Sequence, residues 1–381
     1  MKYTRSLCAA ALLCSQSSLA EISDLGSFYS DIKLRYEQAD IDDPADNDKA
    51  DAALADIAVG FKSADYAGFS VLAEYEAGVL ALDDFAPENP GYDVIADPQF
   101  SEWNRAQLQY KQGGFQAVVG RQRLIFDNAR FIGNVGWRAN EQTYDAASLR
   151  YQQGKFTVQY AYIDEVHGIL KKFDADTDSH LLNASYQFEA FSVGGYSYLL
   201  EDDDSGARND TTGLRINGNI VLGDQTLTYR AEYAQQRADT GSADFDTDYL
   251  VADIGTSVSG VSITLGNERL GSDDGQYGFQ TPLATKHAFN GWADVFLATP
   301  AHGLDDRYLK VGGKLGKVKL AAHYHDFAAM EGSDRYGDEI NLLATMKLAE
   351  RYTVGAKFAD YSAKDLGNDT RRFWLWLQFS L

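Results

Sequence analysis

The sequence predicts an all-β chain: a transmembrane antiparallel β-barrel of eighteen strands with long extracellular loops and short periplasmic turns. Three observations lead there. Apolar residues recur with the strand period of two rather than the helical period. The connections between alternating segments are short and long by turns. Residues 373–381 put Phe373, Leu375, Leu377, Phe379 and Leu381 on one parity, all apolar.

Taken from the N-terminus, residues 1–20 read as a secretory signal peptide and residues 21–381 as the barrel. Lys2 and Arg5 precede an apolar run over 7–13, and Ser18, Leu19 and Ala20 offer a cleavage site before Glu21. A membrane anchor is the alternative, but the apolar run is too short to span. Cleavage removes Cys8 and Cys14, the only cysteines, and takes the net charge from −22 to −24 with the loss of Lys2 and Arg5. Thiol, disulfide and Cys-metal chemistry are thereby excluded from residues 21–381.

The strands follow. In 227–233, Leu227, Tyr229, Ala231 and Tyr233 alternate with Thr228, Arg230 and Glu232, and the same pattern recurs over 156–162, 214–220 and 340–348. A soluble sandwich shows such alternation too, so the connections decide. Tight turns are expected near 63–68, 113–114, 153–155, 189–190, 223–224, 259–260, 315–317 and 349–351. Long polar loops are expected near 39–52, 83–101, 124–142, 164–179, 201–211, 237–247, 270–306, 328–337 and 363–370. Eight turns and nine loops join eighteen strands, each about ten residues long, the length a tilted strand needs to cross a bilayer. The long loop 270–306 is expected at or inside the pore mouth.

Composition excludes several other classes. With 56 Asp+Glu against 34 Lys+Arg, a broad electrostatic grip on nucleic acid is ruled out. Aromatic residues at 13% rule out a disordered acidic chain, and the negative mean hydropathy rules out a helical membrane bundle.

A Lys or Arg aimed at the bilayer midplane costs about 2–4 kcal/mol, so the charged parity faces the lumen. That assigns Lys33, Arg35, Arg105, Arg150, Arg215, Arg230, Lys310, Lys347, Lys357 and Arg372 inward, with Glu74, Glu76, Glu232, Asp253 and Glu339 on the same face. Each arginine is either a solute contact or half of a structural ion pair. The acidic runs at 40–51 and 201–210 are solvated loops or loose Ca²⁺ sites bridging to lipopolysaccharide. Asp174, Asp176 and Asp178 open like a calcium loop, but Ser179 and Ser185 stand where Gly and Glu are required. His323 and His325 share a face beside Asp326 and read as polar lumen residues rather than a metal site. No Gly-x-Ser-x-Gly nucleophile motif and no phosphate loop occur, so no catalytic residue and no cofactor is expected.

Two stretches exceed generic alternation. One runs from Gly120-Arg121-Gln122-Arg123 through Phe131-Ile132-Gly133-Asn134-Val135-Gly136-Trp137-Arg138 to Gln142-Thr143-Tyr144-Asp145-Ala146. The other joins Thr281-Pro282-Leu283-Ala284-Thr285, His287-Ala288-Phe289-Asn290-Gly291-Trp292-Ala293-Asp294, Thr299-Pro300 and Gly303-Leu304. They resemble the alginate-export family of bacterial outer-membrane porins. The resemblance implies an eighteen-stranded barrel in the outer membrane with an Arg-lined path for a uronate polyanion. It also implies that Arg121 turns toward the pore, against its strict outward parity, through a bulge at Gly120. Arg123, Arg130 and Arg138 then fold inward as a constriction, while Phe131, Trp137 and Trp292 pack the loops.

The expected function is therefore a passive outer-membrane channel for anionic oligo- or polysaccharides, or other acidic solutes. Its pathway residues are Arg35, Arg105, Arg121, Arg123, Arg138, Arg150, Arg215 and Arg230. The alternatives are a general porin or structural barrel with acidic, cation-binding loops, and more remotely an outer-membrane hydrolase. Expected partners are outer-membrane lipid, lipopolysaccharide, the anionic solute and the barrel-assembly machinery.

Overall fold

A computed structural model describes residues 24–45 and 47–381; the expected signal segment 1–20 lies outside them. Eighteen strands form one sheet. The first nine are β1 (Gly26–Ile41), β2 (Ala50–Ser63), β3 (Phe69–Asp84), β4 (Phe100–Gln112), β5 (Phe115–Gln122), β6 (Thr143–Gln153), β7 (Phe156–His167), β8 (Ala175–Gln187) and β9 (Phe191–Glu201). The second nine are β10 (Arg208–Leu222), β11 (Gln225–Asp239), β12 (Asp244–Val258), β13 (Val261–Leu270), β14 (Leu304–Leu315), β15 (Val318–Ala328), β16 (Arg335–Ala349), β17 (Tyr352–Ala363) and β18 (Thr370–Ser380).

Every strand pairs antiparallel with its sequence neighbours, and β1 also pairs with β18 from Asp31 opposite Ser380 to Ile41 opposite Thr370. The sheet is thereby closed, and no edge is left facing lipid. All eight turns and nine loops fall where the alternation puts them. The strands are longer than expected, however, with β1 and β3 each 16 residues long. The surplus lies beside the external loops, where outward residues such as Asp40 and Asp51 are polar and need no lipid.

Parity sorts the side chains as the cost of charge in lipid demands. On β1, Leu34 is 50% exposed between inward Lys33 and Arg35, of which Arg35 is buried. Aromatic pairs gather beside the short turns: Phe28 with Phe61 at 4.9 Å, Phe69 with Tyr110 at 4.7 Å, and Tyr352 with Phe379 at 5.1 Å. Three of these six rings are exposed and the other three half-buried, the arrangement of an interfacial girdle.

The packed core lies inside the barrel. Loops 123–142 and 271–303 enter the lumen and bond to each other, Gly133 N–H to the Leu283 carbonyl at 2.8 Å and Thr285 N–H to the Ala129 carbonyl at 3.0 Å. Phe131, Phe279, Trp292 and Phe296 from these loops meet wall residues such as Tyr144, Tyr249, Phe327 and Trp374 in one cluster.

Leu34 lies opposite Leu377 in the lipid-facing band. Leu34→Arg is expected to lower the unfolding free energy in vesicles by about 2–4 kcal/mol. A denaturant midpoint equal to that of the parent would contradict the outward placement.

Candidate functional site

Five of the eight arginines singled out by sequence line two cavities along the barrel wall. The register between β3 and β4 slips at Glu74 and Tyr75, where Arg105 and Trp103 stand opposite and Asn104 is the extra residue. The slip lets Asn104 and Arg105 both face inward while Trp103 stays outside. Arg105 grips Glu74 with Nε and Nη2 at 2.7 and 2.6 Å. Arg123 follows β5 and bonds Glu141. Together with Arg150 of β6 these side chains border a cavity of about 300 Å³ whose other walls include Gln107, Gln116 and Gln159. A second cavity of about 610 Å³ adjoins the 154–155 turn and holds Arg215 and Arg230 among Thr157, Ser185, Ser192 and Asn217.

Four of these five arginines are shared with acids. Arg215 pairs with Asp127, a loop residue at φ 58° that reaches into the lumen from a left-handed backbone. Arg230 pairs with Asp253 at 2.7 Å, and Tyr308 donates to the same carboxylate. Arg105 and Arg123 both lie beside Glu74. Arg150 is the exception among the described residues: its side-chain partner is the Gln152 amide oxygen at 3.2 Å.

The other three arginines are placed differently. Arg121 keeps its outward parity, because β4 and β5 pair without a bulge at Gly120. It binds Asp145 through Nε and Nη2, both at 3.0 Å, and Asp145 also meets His167 at 3.0 Å. The expected turn toward the pore is therefore absent. Arg35 and Arg138 do face the interior, but both are buried in ion pairs. Arg35 bonds Asp97 and the Trp137 carbonyl, and Arg138 bonds Glu37, Asp97 and Asp294. Both spend their Nη groups on acceptors of the protein itself, while Arg35 Nε is buried without one.

These buried pairs fasten the loops, a role the sequence reading missed. Burial opposes ionisation of Asp97, yet Arg35 and Arg138 beside it hold its carboxyl below the ordinary range. Arg130 bonds Glu268 at 2.7 Å, with Thr281 and Asn290 also in reach. Glu339 of β16 accepts the N–H groups of Trp292 and Ala293. His325 bonds Asp306 while His323 packs against Trp292, so the two imidazoles serve different partners. Asp97 lies in a loop and Glu268 on β13. Their arginine partners are 41 to 138 residues away, and no local pattern marks them.

His287 completes the clamp. Lys357 Nζ lies 2.6 Å from Nε2, and an ammonium only donates, so Nε2 accepts and Nδ1–H points to Asp294 at 2.7 Å. The ring is therefore neutral; burial pushes its pKa down from 6.5 to about 3, despite Asp294.

Two outcomes follow from this fastening. Arg130→Met leaves Glu268 buried and short of its charge partner, with an expected loss of roughly 3–5 kcal/mol and a noisier open channel; unchanged unfolding and quiet conductance would refute the anchoring role. An undocked His287 takes up a proton near 6.5, whereas the docked one does so only near 3. Docking is thus fully favoured above the higher value and weakens progressively as pH falls toward the lower one. Channel noise is expected to rise on acidification from about pH 7 to about pH 4, more in the parent than in His287→Asn.

Comparison with known proteins agrees with this architecture. The alginate export family matches over residues 100–266, from the start of β4 into β13. The stretch around Trp292 lies beyond that match. OpdL of Pseudomonas aeruginosa superposes with a TM-score of 0.73 at 16% identity, covering 93% of this chain and 98% of that one. OccAB4 of Acinetobacter baumannii gives 0.72 at 13% identity, with 93% and 97% covered. OpdK of P. aeruginosa, solved with vanillate, gives 0.71 at 14% identity, with 93% and 98% covered. At such identities the likeness is one of fold. No curated protein matches the sequence. Sequence match and fold coincide: this chain folds as an eighteen-stranded β-barrel like those of the solved outer-membrane porins and matches the alginate export family over residues 100–266.

Proposed function

We propose that the barrel is a passive channel for acidic sugars, uronate-containing oligosaccharides above all, with Arg105, Arg123, Arg150, Arg215 and Arg230 along the path. The surroundings of Arg150 carry this reading. Among these five it is the guanidinium without a carboxylate partner, and it borders a cavity walled by Gln107, Gln116 and Gln159. A guanidinium forks onto a carboxylate, and amides and hydroxyls complement the ring hydroxyls of a sugar acid. The four arginines already shared with acids offer weaker stations, and weak sites in series let a solute leave again. The family match points the same way. Residues 1–20 act as the secretion signal in this reading, with lipopolysaccharide and the barrel-assembly machinery as partners in the membrane.

A second reading, small aromatic acids, is favoured by the outer vestibule. That cavity of about 690 Å³ has apolar walls including Phe173, Leu200, Leu283 and Leu297. The neighbour OpdK was solved with vanillate.

The test is single-channel recording from refolded protein under a salt gradient, then with oligouronates or vanillate added. An anion-leaning reversal potential with uronate block is expected, and Arg150→Gln should weaken that block about tenfold, roughly 1.4 kcal/mol. Block by vanillate alone would favour the second reading. Open conductance with neither preference nor block would leave a general porin.

A further inference from the structure

Trp137 stands on the loop between β5 and β6 and inserts its indole among lumen cations. Lys357 Nζ lies 4.1 Å from the ring centroid, Lys33 Nζ 5.0 Å, and Arg35 Cζ 5.7 Å. His287 stacks on the ring at 4.9 Å with planes 7° apart, and the edges of Trp374 and Trp376 approach at 5.6 Å. The indole N–H, although buried, has no acceptor. The ring is therefore held by its faces and edges, and no hydrogen bond of the side chain has to break for it to leave.

The cations beneath it differ in their company. Arg35 is committed to Asp97. Lys33 and Lys357 are in no ion pair among the described residues: Lys357 touches His287 and the faces of Trp137, Trp292 and Trp374, and Lys33 faces Trp137. They stand on β1 and β17, either side of β18, so both project into the lumen from one stretch of wall. Asp56 stands opposite Lys33 on β2 without forming an ion pair with it, so both amino groups have aromatic faces as their close contacts, which attract a cation but do not neutralise it.

We propose that Lys33 and Lys357 form a second carboxylate-binding station of the passage, covered here by the indole of Trp137 and uncovered when an acidic solute displaces it. The inference rests on the passage of acidic solutes proposed above but uses none of its five arginines. A carboxylate makes charge-assisted hydrogen bonds to both ammonium groups, which are stronger than the contact with the ring face. When the solute moves on, the indole returns and closes the lumen. The acidic solute thereby raises the fraction of open channels, because it binds only the state in which Trp137 has left.

Planar-bilayer recordings of the refolded barrel, in KCl alone and then with graded sodium glucuronate, test this. Trp137→Leu should raise open probability several-fold in KCl and abolish any further opening by glucuronate. Trp137→Phe, which keeps a ring and serves as the folding check, should lie between. Lys33→Gln combined with Lys357→Gln should open readily in KCl yet no longer respond to glucuronate. Open probability in Trp137→Leu equal to that of the parent overturns the covering role. Glucuronate-induced opening that survives in the double lysine variant overturns the station. Either failure, with the parent's anion-leaning reversal potential intact, leaves the arginine path standing; loss of that preference in the parent overturns the arginine path itself.

Discussion

Hydrocarbon offers a polypeptide no hydrogen-bond partner, so every N–H and carbonyl that crosses it must be paired within the protein. In this chain the requirement is met by joining β1 to β18 across eleven residue pairs. Closure then settles much of the rest. One parity of every strand is left to lipid and must be apolar, and the other parity encloses a lumen that receives the charged residues. An interior of eighteen strands is too wide for wall side chains to fill. The loops 123–142 and 271–303 enter it and supply aromatic residues to its core.

Inside the lumen the basic residues divide by what holds them. Arg35, Arg130, Arg138 and Arg372 are buried, and their planar forks reach two or more acceptors at once, often on different segments. Removing one partner from such a pair is costly because the other charge stays behind in a poorly solvating interior. Arg105, Arg123, Arg150, Arg215 and Arg230 border open space in the lumen. Lys33 and Lys357, whose ammonium groups lack a fork, rest on aromatic faces instead.

This division gives barrel and loops different rigidity. The wall is a continuous ladder of backbone bonds, and it opens only when many break together. The inserted loops are held by a few ionic anchors, a few backbone bonds and stacked rings, so their release needs far less free energy.

The strand count, the turns and loops, and the inward parity of Arg105, Arg150, Arg215 and Arg230 were legible in the sequence. Each follows from a local rule: alternation within a strand and the cost of charge facing lipid. Tertiary structure alone decided which arginines are free. Glu37 meets Arg138 across 101 positions and Arg372 across 335, and Arg150 is open only because no acid reaches it. The same holds for Arg121, where the uninterrupted register of β4 and β5 prevailed over the turn that its motif implied. Alternation is a property of neighbours in the chain. Ion pairing inside a closed barrel is a property of neighbours in space, and folding the loops inward is what creates them.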